Sequence, residues 1–435
     1  MHPRDPRSSQ FRPGLGGVVL HGAAPLLGIV ALALVMDLLV APLLPEAWYA
    51  KVLADIGINI VLAVSLNMVN GFTGQFSIGH AGFMAIGGYT AAAVVYYGSI
   101  ALWGDAGFHG GYFSYCGLGH FNGPWFGGGD LLFVAACLIG GLVAAVVGVF
   151  VGLPSIRLRG DYLAIVTLGF GEIVRILIQQ TPGVLPPESA ATVPAPGRYL
   201  HLGGALGFTN HPFYTTIFWI WLAVGATVLV AWRLRNSTYG RAFLSIREDE
   251  IAAAAMGVPI LLYKVMAFTF AAFFAGIAGG LFAHQLGSTL NPADLGFAKS
   301  FDILIMIVLG GLGSISGAIL AAAGLTILPE LLRNPPHVWP LLVPVVPIAL
   351  ALLLYRRRRL ARGWGILAGG IVLLEIARDL AVAHGVQLSD YRMVFYALSL
   401  ILVMILRPEG LLGTRELWEL WPRKRKGGAG VRASS

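Results

Sequence analysis

The apolar residues of this chain fall in long continuous runs, not in alternation. A bilayer core of about 30 Å takes about 20 apolar residues as helix. Lipid admits only helices and closed barrels, because every backbone polar group must be paired internally. Barrel strands alternate apolar with polar residues, so continuous runs select helices. Twelve runs are readable, over about 18–44, 51–69, 80–97, 130–153, 162–178, 213–232, 265–284, 300–310, 317–332, 338–355, 364–383 and 391–406. They predict an all-α polytopic membrane protein of about twelve transmembrane helices. Composition agrees, since 57% of the 435 residues are hydrophobic and 11% charged, against roughly 45–50% and about 25% in soluble domains. That excludes an ordinary soluble enzyme, a disordered chain and a basic nucleic-acid binder.

Charge sets the orientation. With the N-terminus inside and each run crossing once, 22 of the 29 basic residues fall in cytoplasmic segments. Five fall outside, namely Lys51, Arg198, Lys299, Arg333 and Arg392, and Arg175 and Arg378 lie within spans. One missed helix would invert every later loop, so this bias predicts an even span count and both termini in the cytoplasm. No cleavable signal is evident, and Arg4, Arg7 and Arg12 precede what reads as a retained first span. Two long outer segments stand out, 98–129 rich in Gly and aromatics and 181–212 rich in Pro and Gly. Each reads as an interface-hugging loop or as a docking surface for an external protein.

Catalytic chemistry is not written in the chain. No Gly precedes any of the five Lys, so no phosphate-binding GxxxxGK[ST] loop exists. No HExxH, GxSxG or Cys/His metal spacing occurs, and Cys116 and Cys137 form no disulfide framework. We therefore expect no enzyme activity, catalytic residue, metal or cofactor. If the chain moves a solute at the expense of ATP, another subunit hydrolyses it.

Three stretches carry information. The first, Asn67 to His80, is polar and Gly-bearing yet sits between two spans. It is either a capped cytoplasmic turn or a helix break that exposes backbone polar groups to a cavity. In the second case Asn67, Gln75, Ser77 and His80 serve a polar solute or one another. The second stretch, 158–175, places Glu172 and Arg175 at i,i+3 on one helix face, with Thr167 nearby. Intramembrane charges are costly and suggest function, whereas a self-neutralised pair near the outer interface is the plain alternative. Asp37 and Asp302 carry the same ambiguity. The third is the polar loop 233–264. Ser245 and Glu248 read as a capping box, and Ala252 to Ala255 propagate a helix. Gly257 and Pro259 stop it, giving a helix over about 246–256. Such a helix, charged at one end and small-faced at the other, suits insertion into a groove on a soluble partner.

Together these stretches resemble the permeases of branched-chain amino-acid ABC transporters of the LivM type. The matching blocks are Gly71 to Phe83, Arg157 to Glu172, Gly240-Arg-Ala through Met256-Gly257, Val308 to Ser314, and Tyr391-Arg-Met with Arg407 to Gly413. The resemblance covers about 50–333 and 390–413. It implies a permease in the bacterial inner membrane, paired with a second homologous permease subunit. Two ATP-binding subunits then sit below, and a periplasmic substrate-binding protein delivers solute from above. Lipid is the remaining partner, and nucleic acid is none. The loop 233–264 is similar to the coupling helix of importer permeases. Arg241, Arg247, Glu248, Asp249, Glu250, Ala254 and Gly257 are its candidate ATPase contacts, although Ile251 stands where that family's pattern expects Glu. The substrate-pathway candidates are Asn67, Gln75, Ser77, His80, Thr167 and Glu172.

The implied organisation is a cytoplasmic N-terminus and first helix over 1–50 and a permease core over 51–333. An inserted transmembrane hairpin follows over 334–389, then a last helix and basic tail over 390–435. Two spans return the chain to the same side, so the hairpin leaves the last helix's orientation unchanged. The substrates of such permeases include branched-chain amino acids, urea, short amides and other small polar solutes. The competing readings are an ion-coupled secondary transporter and a membrane scaffold without a pathway.

Overall fold

A computed structural model of the chain describes residues 15–40, 47–115, 123–153, 160–331 except 191, 210 and 287–288, and 401, 410–413 and 416. The helices are α1 (Leu15–Val35, continued by a π-helical turn Met36–Val40), α2 (Ala47–Asn70), α3 (His80–Trp103), α4 (Gly128–Gly152) and α5 (Asp161–Gln179). Next come the short α6 (Pro187–Ala190) and α7 (Ala195–Arg198), then α8 (Ile217–Asn236), α9 (Thr238–Glu248), α10 (Glu250–Ala255), α11 (Ile260–Ala283), α12 (Phe297–Gly310) and α13 (Ile315–Leu331). Among the described residues β-pairing is limited to two isolated bridges, Phe208 with Leu290 and Thr215 with Gln285. Among the described residues five helices, α2, α3, α4, α8 and α11, are long and apolar enough to cross a membrane. The expected runs through 317–332 each correspond to one of the described helices, with shifted ends. The runs at 338–355, 364–383 and 391–406, the 334–389 hairpin, the basic tail, and Arg157 and Arg159 lie outside the described residues, Ile401 apart.

The centre is α3, α4 and α11, held together by missing side chains. A Cβ on Gly87 of α3 would lie 2.2 Å from Gly276 Cα of α11, and one on Gly279 would lie 2.0 Å from Met84 O. A Cβ on Gly140 of α4 would meet Gly87 O at 2.5 Å. Lipid offers no hydrophobic drive between helices, so close backbone approach at small residues is what binds them. Large side chains such as Phe83, Phe133 and Phe268 fill the interior, and one face of α4 and of α5 turns apolar side chains outward. Leu131, Leu138, Leu142, Val146 and Phe150 on α4 are exposed, as are Tyr162, Ile165, Ile173 and Leu177 on α5. The opposite face of α5 buries Leu163, Thr167, Gly171, Val174 and Ile178, a helical stripe against the bundle.

The segments before α4 and α8 are tied down. Asp130 accepts from the Gly111 and Gly127 N–H groups at 2.9 and 2.8 Å, clasping the aromatic loop onto the start of α4. Trp219 Nε1 donates to Ser114 Oγ at 2.7 Å, and Phe113 stacks on Phe218 with centroids 4.4 Å apart. This order positions the starts of α4 and α8.

Two helices begin beside other helices' middles. The chain leaves α2 through a turn at 71–73 and runs without regular structure over 74–79 to His80. At its end Ile78 N–H donates to Thr167 Oγ1 on α5 (3.0 Å), and Ala81 N–H donates to Ser300 Oγ on α12 (3.1 Å). Glu172, eleven residues into α5, accepts from Phe297 N–H at the start of α12 (2.8 Å). A helix start always has unpaired N–H groups. Inside lipid they need protein partners, and α5 supplies both Thr167 and Glu172. Within the Asn67–His80 stretch the first four residues end α2, and 71–79 is a break between helices that opens with a tight turn.

Candidate functional site

The loop 237–259 folds as an elbow of two helices. Ser237 caps α9, accepting from Gly240 N–H at 3.2 Å, and α9 buries Gly240, Phe243 and Ile246. The expected capping box of Ser245 and Glu248 is absent: Ser245 Oγ donates back to Ala242 O at 2.8 Å, and Glu248 is exposed. The single helix expected over 246–256 breaks at Asp249, whose backbone is extended (φ −155°, ψ 111°). The Asp249 carboxylate accepts from Ile251 and Ala252 N–H at 2.8 and 3.0 Å. A short carboxylate competes with helix backbone bonds and is a far better cap than an interior residue. This correction leaves α10 starting at Glu250. Its end is as expected: Gly257 takes φ +83°, and Gly257 and Val258 N–H return to Ala254 O (3.0 Å) and Ala253 O (3.1 Å).

The elbow presents an apolar tip. Ile251 is 71% and Met256 85% exposed, flanked by exposed Ala252, Ala254, Ala255 and Gly257, while Ala253 is buried. Behind the tip, Glu250 pairs with the buried Lys264 of α11 at 2.9 Å. Arg241 is exposed on α9.

Arg247 joins the elbow to the bundle. Its Nη1 donates to Gly71 O at 2.8 Å. A Cβ on Gly74 would lie 3.2 Å from Arg247 Cγ, and one on Gly313 would lie 2.5 Å from its Nη1. The guanidinium therefore fills a slot between two turns, 71–74 after α2 and 311–314 after α12, that only glycine leaves open. Asn67 links the same two turns, its backbone oxygen accepting from Gly71 and Phe72 N–H at 2.9 and 3.1 Å and its side chain reaching the second turn. Its Oδ1 accepts from Gly313 N–H (2.8 Å) and its Nδ2 donates to Ser314 O (3.1 Å).

Glu416 reaches the start of α13 from 100 residues away. Its buried carboxylate accepts from Ile315 N–H (2.9 Å), Ser316 N–H (3.0 Å) and Ser316 Oγ (2.5 Å), so it caps α13. It also pairs with Arg235 at the end of α8. An anion suits the N-terminus of a helix and a cation its C-terminus, and this pair serves both at once. Leu411 N–H donates to Leu309 O at 2.7 Å and seats the approach to Glu416 on the α12–α13 turn. Sequence reasoning marked the block Arg407 to Gly413 but missed Glu416; the acidic residue just beyond that block was the available signal.

The other pathway candidates are each held by neighbouring protein groups and not by one another. His80 Nε2 lies 2.8 Å from Ser65 Oγ, whose hydroxyl donates to Leu62 O, so the His80 nitrogen is the donor. Ser77 exchanges backbone bonds with the Asn70 amide (3.1 and 3.2 Å). Gln75 Nε2 donates to Thr73 Oγ1 (2.8 Å), and its buried Oε1 has no partner among the described residues. Thr167 donates to Ala164 O at 3.0 Å while accepting from Ile78. Glu172 and Arg175 form the expected pair at 2.7 Å, to which Phe297 N–H adds. Among the described residues no group of three His, Cys, Asp or Glu is arranged to hold a metal.

A helical bundle with breaks between helices and a braced polar elbow defines an integral membrane protein of the transport type. Residues 48–354 match the family described as "Branched-chain amino acid transport system / permease component", and the chain belongs to that family. It is 37% identical over 295 residues to the Escherichia coli (strain K12) "High-affinity branched-chain amino acid transport system permease protein LivM", covering 64% of this chain and 62% of that one. It is 25% identical over 280 residues to the "Probable branched-chain amino acid transport permease protein LivM" of Methanocaldococcus jannaschii, covering 62% and 77%. It is also 30% identical over 198 residues to an "Autoinducer 2 import system permease protein LsrC" of Yersinia pseudotuberculosis, covering 44% and 52%. The chain thus spans less than two thirds of its Escherichia coli relative. No solved structure matches it.

Proposed function

We propose that the chain is the permease subunit of an ATP-driven importer, carrying branched-chain amino acids across the bacterial inner membrane. It has about twelve spans with both termini inside, a core over 51–333 and a peripheral hairpin over 334–389. A second homologous permease, two ATP-binding subunits and a periplasmic binding protein complete the assembly. The chain has no catalytic role of its own.

The observation that carries this reading is the elbow of α9 and α10. An apolar tip of Ile251 and Met256 in a polar loop is exposed surface that a partner covers. Arg241, Glu248, Asp249 and Ala254 line the elbow, while Glu250 and Arg247 brace it against α11 and the two turns. Movement of a seated ATPase therefore reaches α2, α3, α12 and α13 through rigid contacts. Asn67, Gln75, Ser77, His80, Thr167 and Glu172 form the polar seam by which those helices shift against α5. Co-purification tests the seating. The tagged wild-type chain should retain its ATP-binding subunits in detergent, and Ile251→Asp with Met256→Asp should release them while the companion permease stays bound. Retention of the ATPases by the double variant would refute it.

A further inference from the structure

The outer half of α2 and the start of α12 carry charges that the inner-face machinery does not use. Lys51, Asp55 and Asn59 recur every four residues and share one face of α2. Lys299 and Asp302 stand in the first turns of α12. Lys299 Nζ donates to Asn59 Oδ1 at 3.1 Å, and Asn59 Nδ2 donates on to Thr326 Oγ1 of α13 at 2.8 Å. Gln285, just past α11, donates to Asp55 Oδ1 at 2.9 Å. Asp55 and Asp302 both act electrostatically on Lys299, yet among the described residues no carboxylate oxygen lies within 4.0 Å of its ammonium. An ammonium has three donors and a carboxylate about four acceptor sites. Each therefore keeps unused capacity after these bonds.

Asp55 and Asn59 lie inside the apolar span Trp48–Asn70. Asp55, Lys299 and Asp302 are half-buried, so this face is not closed by the chain's own packing. Charged groups inside a membrane do not face lipid; they face protein or a water-filled path. Opposite charges held near one another without collapsing into an ion pair are complementary to a solute bearing both charges.

We propose that Asp55 and Lys299, oriented by Gln285 and Asn59, form a binding site for the two charged ends of a zwitterionic amino acid on its way through the chain. The solute carboxylate meets Lys299 Nζ, and its ammonium meets Asp55. The site deepens the importer reading and rests on it.

The test uses the complete importer in proteoliposomes, with L-leucine as the probe and two readouts, leucine uptake and ATP hydrolysis stimulated by the loaded binding protein. Lys299→Met and Asp55→Asn should each lower uptake by about tenfold or more while hydrolysis stays within about twofold of wild type. Lys299→Arg should restore at least about a third of uptake, because it returns the charge. The site is overturned if uptake in Lys299→Met and Asp55→Asn stays within about twofold of wild type. It is equally overturned if uptake and hydrolysis fall together and Lys299→Arg restores neither. A wild-type complex with no ATP-dependent leucine uptake would instead refute the importer reading.

Discussion

Arg247 Nη1 lies 2.8 Å from the carbonyl oxygen of Gly71, so α9 grips the turn that starts the irregular 74–79 segment. The bond is charge-assisted and sits in a slot shaped by Gly74 and Gly313. Such bonds contribute about 1.5–3 kcal/mol. The expected behaviour of Arg247→Met is an assembled complex that hydrolyses ATP but imports about tenfold more slowly. Parallel hydrolysis and uptake assays on one preparation check this, and normal uptake would show that the Gly71 contact transmits nothing.

Glu416 joins the start of α13 to the end of α8. Its carboxylate caps α13 and neutralises Arg235, and it is fully buried. Breaking a buried pair by removing one partner costs about 3–5 kcal/mol, because the other charge stays behind. Glu416→Ala should therefore lower the thermal stability of the detergent-solubilised complex clearly. The double change Glu416→Ala with Arg235→Met should recover part of the loss. A melting curve unchanged by the single substitution would contradict this role.

Acid should weaken the packing around His211. His211, in the segment before α8, gives a hydrogen bond from Nε2 to Ala283 O and faces His284 with ring centroids 5.0 Å apart. Burial pushes its pKa below the ordinary 6.5. A histidine held neutral in the folded state contributes stability above its unfolded pKa. That contribution is lost as pH falls through 6.5 toward the folded value, since the unfolded state then binds more protons. Thermal stability should decline between about pH 7 and about pH 5.5, and His211→Gln should flatten part of that slope. An identical slope in the variant would exclude His211 as a source.

Local patterns were legible from sequence and distant partners were not. Helix α5 was placed within a residue at each end, and the Glu172–Arg175 pair followed from i,i+3 spacing alone. Gly257 was a readable stop because only a residue tolerant of positive φ ends a helix that way. The elbow's interior misled, because Ser245 and Asp249 both have capping chemistry and spacing does not rank them. Asp249 prevailed because its carboxylate reaches two N–H groups. Lys299 read as an outer-loop charge, yet the first turn of α12 carries it to Asn59 on α2. Glu416 to Ile315 and Arg247 to Gly71 are contacts made by tertiary packing, and no periodicity announces them.

Uptake by the complete importer is the most direct measurement. Proteoliposomes holding the chain, its companion permease, the ATP-binding subunits and the binding protein should accumulate L-leucine only with ATP. Uptake should vanish when Ile251 and Met256 are both changed to Asp. Leucine flux through the chain alone, without nucleotide or companion subunits, would contradict the account.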